Sequence, residues 1–297
     1  METRQKRTKI VGGLALAGLL VLSLFAVAGN LEPTAPPGPT MKTLDQVEPR
    51  IPISQTDIPK TINTPGSYYL TEDISSAGTA ITVAVDDVTI DLSGFALVGP
   101  GSGTNYGIYM NARSNVEIRN GTVRNFSYGI YENSDNGSGH RVIDVRAVSN
   151  KSGGISLSGS GHLVKGCMAG NNGTSATGYG IYAGGGSTVT GNTAYSNGTS
   201  VTGTVFGIFA SSGSTVTGNT AYNNGSWATG TVFGIYASSG STVTGNTAYS
   251  NGAGASGNVY GIYLGGNSLV DQNTAYLNSG TNMYKPASCT FGTNHAP

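Results

Sequence analysis

From Ala80 onward the apolar residues stand singly or in pairs, separated by Gly, Ser, Thr and Asn, and they recur. A Gly-Ile or Ala-Ile pair begins at Ala80, Gly107, Gly129, Gly154, Gly180, Gly207, Gly234 and Gly261, with spacings of 27, 22, 25, 26, 27, 27 and 27 residues. No apolar stripe of helical spacing appears in this array. The pattern instead alternates, as in Thr242-Val243-Thr244, where a strand would turn Val243 to one side and both threonines to the other. In the unit from Gly234, Ile235, Val243 and Ala248 are the expected inward residues. So short a unit cannot bury its own apolar face. Stacked on its neighbours, each strand finds a parallel partner, and the Ile, Val and Ala columns merge into one core.

Asparagine follows the same period. One column runs Asn192, Asn219, Asn246, Asn273, and a second runs Asn150, Asn172, Asn197, Asn224, Asn251, Asn278. Asn tolerates the left-handed backbone of sharp turns, and stacked amides can bond along a column. Turn chemistry therefore accounts for the sequons at Asn172, Asn197 and Asn224 better than glycosylation does. Units 207–233 and 234–260 agree at 20 of 27 positions, which points to internal duplication of a surface rather than refinement of a pocket.

The stretch GIYASSGSTVTGNTAYSN at 234–251 resembles the repeat of right-handed parallel β-helix proteins, the pectate-lyase-like superfamily. The segment TPGSYYLTEDI…AITV…DDVTIDLSGFAL, within 64–97, resembles the opening coils of its secreted bacterial members. The resemblance implies an all-β solenoid of about eight coils, some 40 Å long at the strand spacing of ~4.8 Å. It implies no single chemistry, because the superfamily holds lyases, hydrolases, epimerases, adhesins and inactive members.

Flanking composition divides the rest. Residues 1–28 carry a basic start (Arg4, Lys6, Arg7, Lys9), an apolar run from Ile10 and the small-residue site Ala26-Val27-Ala28. They read as a signal peptide, or else as an uncleaved anchor. Residues 29–40 form a Pro-rich linker, 41–79 an N-terminal cap, 80–284 the parallel β-helix and 285–297 a C-terminal tail. The expected location is secreted, extracellular or at the cell surface, with no membrane span after cleavage. Removing residues 1–28 takes away four basic and one acidic residue, leaving 11 Lys+Arg against 14 Asp+Glu. That balance argues against a nucleic-acid partner. The two cysteines, Cys167 and Cys289, are far apart, and Cys167 reads as a buried small hydrophobe rather than half of a bridge.

Charge then separates two regions of the array. From Gly166 to Val270 there is no Asp, Glu, Lys, Arg or His. Glycoside hydrolysis, calcium binding and general acid–base catalysis all need such groups, so those coils are not an active site. Neither metal nor other cofactor is expected. Any catalysis would fall in 113–165, where the candidates are Glu117, His140, Asp144, His162 and Lys165. Aligning Val116, Ile143 and Val164 would place Glu117, Asp144 and Lys165 in one outward column, with His140 and His162 stacked on adjacent coils. A polysaccharide lyase, hydrolase or epimerase acting on an acidic polysaccharide would use such a surface. Opposite charges on neighbouring rungs also pair simply to stabilise an exposed face. In the uncharged coils the candidate binding residues are Tyr182, Phe209, Tyr236, Tyr263 and Trp227. A Tyr beside an inward Ile faces out, so these would form a neutral platform for polysaccharide or cell-surface glycan. The function expected first is thus a non-catalytic, glycan-binding or adhesive scaffold, and the enzyme is the alternative.

Overall fold

Along the array, short extended segments centred on an inward aliphatic residue pair in parallel with the same segment one unit later. Thr215–Thr217 pairs with Thr242–Thr244, Thr220–Tyr222 with Thr247–Tyr249, and Val205–Ala210 with Val232–Ala237, all residue for residue. The computed structural model describes residues 49–174 and 177–297. The expected signal peptide, the Pro-rich linker and the first part of the cap lie outside the described residues. The described chain is an all-β parallel solenoid of about eight coils.

Its coils have three faces. The first carries the Gly-Ile strands, from Lys60–Ile62 through Tyr128–Glu132 and Gly178–Gly185 to Thr281–Tyr284. The second carries strands such as Val88–Asp91, Leu163–Lys165 and Thr188–Thr190. The third carries Met168–Gly170, Thr193–Tyr195 and their successors. In Glu117–Arg124 and Arg141–Val148 the second and third faces share one strand. Between them a single left-handed residue turns the chain: Asn120 (φ 61°), Asp144 (54°), Gly166 (65°), Gly191 (65°), Gly218 (65°), Gly245 (64°) and Gln272 (56°). A second such corner, Ser196, Asn223, Ser250 and Leu277 with φ of 51° to 54°, ends the third face.

The asparagine columns lie just inside these corners, which corrects the expectation that Asn itself turns the chain. The left-handed residue is the one before each Asn, and every Asn of the two columns except the last, Asn278, is buried. Its amide replaces the strand bonds that the corner removes. Asn197 Nδ2 donates to Asn224 Oδ1 (2.9 Å) and to the Ala169 carbonyl (3.0 Å), while its backbone N–H donates to the same Oδ1 (3.1 Å). The first column repeats this at Asn192, Asn219, Asn246 and Asn273. A third polar column, Ser187, Ser214, Ser241 and Ser268, passes backbone N–H to side-chain Oγ at 3.2 or 3.3 Å. Among the described residues no buried side-chain N or O lacks a partner. Asn172, Asn197 and Asn224, at most 1% exposed, are held as ladder amides, not as surface sugar acceptors.

Two boundaries differ from those expected. Ile51–Ile53 pairs with Gly66–Leu70, and Lys60–Ile62 pairs with Ile81–Val83, so rungs begin inside the expected cap. At the other end Thr290–Phe291 pairs with Leu269–Asp271 inside the expected tail. The alternation that drives pairing simply continues there, although the Gly-Ile word is lost. Cys167 and Cys289 are both buried and free.

Candidate functional site

Outward side chains of the second face bring the array's charges together around Glu117. The register corrects the alignment expected from sequence. Ile118, Val142 and Val164 form the inward row, so Glu117 lies opposite Arg141, and Arg119 lies opposite Ile143, which lies opposite Lys165. Two adjacent aliphatics, Val142 and Ile143, made the inward choice ambiguous. The corner at Asp144 settles it by leaving Val142 buried and Ile143 on the outer side.

Asp144 is therefore not in a column with Glu117 and Lys165. It occupies the corner itself, its carboxylate against Gly166, where an added Cβ would meet Oδ1 at 2.2 Å. Glu117 is almost buried and accepts from Arg119 Nη1 (3.0 Å) and from Arg141 Nη2. Arg119 Nε also reaches Asp91 at 3.2 Å, and Arg50 approaches Asp91 at 3.7 Å while lying over the Tyr69 ring. The acids here are paired with arginines across adjacent rungs, and Lys165 is exposed on the outer side.

His140 and His162 do stack on adjacent coils, with ring centroids 5.1 Å apart and planes within 6°. They stack inside the solenoid, at 0% and 1% exposure, and this removes them from any surface site. They occupy the column that serine takes in later coils. Val116 N–H donates to His140 Nδ1 (3.3 Å), His140 N–H to His162 Nδ1 (3.2 Å), and His162 N–H to Ser187 Oγ (3.1 Å). With each Nδ1 accepting, the ring proton sits on Nε2. His162 Nε2 donates to the Ser158 carbonyl (3.0 Å), and burial together with neighbouring His140 pushes its pKa down to about 4.

His140 Nε2 meets a residue that the sequence reading passed over, Glu132, at 3.2 Å. Glu132 is fully buried, and its carboxylate also accepts backbone N–H bonds from Ala112 (2.9 Å), Arg113 (3.2 Å) and Ser134 (2.8 Å). Burial works to raise its pKa, but the bonds from His140 and these amides outweigh it and hold the carboxyl below its ordinary value. A signal did exist. Glu132 ends the word GIYE at a position filled by Met110, Leu157 and Ala183 on neighbouring rungs, which is an inward position.

The binding candidates lie on the first face. Tyr182, Phe209, Tyr236 and Tyr263 form one half-buried stack with centroids 4.9 to 5.0 Å apart and planes within 11°. Tyr179, Phe206, Phe233 and Tyr260 form a second, with spacings of 5.1 to 5.4 Å. Ring faces touch at roughly 3.5 Å, so rings repeating at ~5 Å must tilt by about 45° from the axis. The two stacks tilt in opposite senses and meet nearly at right angles, 78° to 87° within each strand. Within each stack, neighbouring rings thereby cover one another's faces. The surface offers ring edges and Tyr hydroxyls, not the open stacking platform expected. Burial raises the Tyr179 and Tyr182 hydroxyls, the latter with help from Asp135, so they stay protonated and donate. Trp227 stands apart, 68% exposed on the loop before Val232–Ala237.

These features define a parallel β-helix. A family model described as the right handed beta helix region matches residues 106–279, and the chain belongs to this family. A comparison with curated proteins finds no match. Among solved structures, the periplasmic alginate epimerase AlgG is 12% identical over 83% of this chain and 72% of its own, with a TM-score of 0.51. The A-module of the Azotobacter vinelandii mannuronan C-5 epimerase AlgE4 is 13% identical over 83% of this chain and 85% of its own, with a TM-score of 0.49. The Dettilon tailspike protein is 15% identical, covering 83% and 59%, with a TM-score of 0.48. The likeness is one of fold.

Proposed function

We propose that the protein is an exported, non-catalytic β-helix scaffold that binds glycan or serves as an adhesive spacer on the cell surface. One observation carries this reading: most of the titratable groups are built into the structure, and only Asp144 and Lys165 of the catalytic candidates are left exposed. His140 and His162 are rungs of an internal ladder, Glu132 is enclosed by donors, and Glu117 is clamped between arginines. Proton transfer to a substrate needs a titratable group that the substrate can reach, and the histidines and Glu132 offer no such access. The uncharged coils keep a continuous outer surface of Tyr, Thr and Ser, able to bond sugar hydroxyls.

A glycan array run beside a lyase assay, which follows the ultraviolet absorbance of an unsaturated uronate product, tests the proposal on purified protein with and without calcium. Binding without turnover is the expected result. Turnover of an acidic polysaccharide that Lys165→Ala or Asp144→Ala abolishes would overturn it in favour of the enzyme.

A further inference from the structure

Trp227 is the only tryptophan of the chain. It sits at φ 60°, in a loop column whose equivalents are Ser200 (59°) one unit earlier and Gly254 (70°) one unit later. A bulky residue is strained there where glycine is not, and strain held by the surrounding structure is a mark of functional positions. The loops are well ordered by their own bonds. Ser200 N–H donates to the Ser226 carbonyl (2.8 Å), Trp227 N–H to Ala253 (2.9 Å), Thr229 N–H to Val201 (2.9 Å) and Ser256 N–H to Ala228 (3.0 Å). Beneath them Val201, Val205, Ala228, Val232 and Val259 pack as a separate small core.

The indole is seated on Gly254, where an added Cβ would meet its Cε3, Cζ3 and Cδ2 at 2.5, 2.6 and 2.9 Å. One part of the ring system is thus fixed against backbone, while 68% of the residue faces solvent. This is the opposite of the ring stacks on the first face, whose faces cover one another. Exposed Thr199, Ser200, Thr202 and Thr229 lie on the same loops, and no Asp, Glu, Lys, Arg or His occurs from Gly166 to Val270. We infer that Trp227 is a preorganised platform for one pyranose ring of a neutral glycan, stacking on its C–H face while loop hydroxyls bond its rim. This site rests on the glycan-binding reading above and moves the sugar-stacking contact from the tyrosine stacks to the loop column. Apolar contact on a ring already held in place avoids the ordering cost that a mobile side chain would add.

Because the chain has one tryptophan, its intrinsic fluorescence reports this site alone. The full protein is titrated with cellohexaose, laminarihexaose, chitohexaose and mannohexaose, and with an oligomannuronate as the acidic comparator. The expected result is a saturable intensity change or blue shift with at least one neutral hexasaccharide. Gly254→Ala keeps the fluorophore but displaces its seat, and should weaken that response by about tenfold. Trp227→Ala should lose binding to the same glycan on the array while its melting curve stays close to the parent's. Array binding unchanged in Trp227→Ala, with a silent fluorescence titration, overturns the platform and leaves the glycan reading standing. A response to the oligomannuronate alone overturns the neutral specificity. No glycan bound by any method overturns both readings.

Discussion

The early coils, up to Lys165, and the later coils, from Gly178, share the same three faces and fill the space between them differently. In the column inside the first corner the early coils place Gly121, Val145 and Cys167, whereas the later ones place Asn192, Asn219, Asn246 and Asn273. In the third polar column Val116, His140 and His162 give way to Ser187, Ser214 and Ser241. The coil from Ala80 puts Ile81, Val83, Val88, Ile90, Leu92 and Leu97 into the main core, whereas the unit from Gly207 puts only Ile208, Ala210, Val216 and Ala221 there. The later interior carries Ala194, Ala221 and Ala248 instead. The early coils therefore rest more on apolar burial, and the later ones on amide and hydroxyl ladders with stacked rings outside. Identical units make such ladders self-consistent, because each rung presents the acceptor that its neighbour's donor needs.

The sharpest break of this contrast is Asn219→Ala. It leaves the Asn192 backbone N–H and one Nδ2 hydrogen without their acceptor, and removes the donor to the Val189 carbonyl and to Asn246. A loss of about 3–5 kcal/mol is expected in chemical denaturation, against ~1–2 kcal/mol for Cys167→Ala at the equivalent early position. Equal losses would mean that the ladder adds nothing specific.

Acid tests the early coils next. His162 titrates near 4 in the fold against about 6.5 unfolded. The unfolded chain binds more protons between these values, so stability is full above ~6.5 and falls as pH drops towards 4, by roughly 3 kcal/mol. Glu132, lowered in the fold, acts in the same direction at lower pH, its contribution present above its ordinary value and lost as the carboxylate protonates. Melting temperature followed from pH 7 to pH 4 should decline, and His162→Ser should flatten the decline. A flat profile in the parent protein would contradict the buried, neutral histidine.

Outside, Phe206→Ala removes a ring touching Tyr179, Phe209, Phe233 and Tyr236, and should cost about 1–3 kcal/mol by thermal melting. The smallest effect expected is from Asp144→Asn, below ~1 kcal/mol, since it keeps a residue that suits the left-handed corner. A loss above 2 kcal/mol would show that the exposed carboxylate has a structural charge partner.

The sequence by itself was enough for the solenoid, its period and its amide columns, because identical residues at one interval can share one environment only by stacking. It also identified the uncharged coils, since the absence of Asp, Glu, Lys, Arg and His needs no geometry. Inside and outside in the early coils were decided by the tertiary structure. Single left-handed corners at Asn120 and Asp144 reset the alternation within one strand, so counting residues from Val116 misplaced Asp144. His140, His162 and Glu132 read as reactive surface groups or went unnoticed, because sequence does not say whether a polar side chain has partners. Only the stacked backbone of neighbouring coils supplies the acceptors and amide donors that make burying them affordable in free energy. The open indole of Trp227 likewise depends on a glycine 27 residues away, which only the coil-on-coil register brings beneath it.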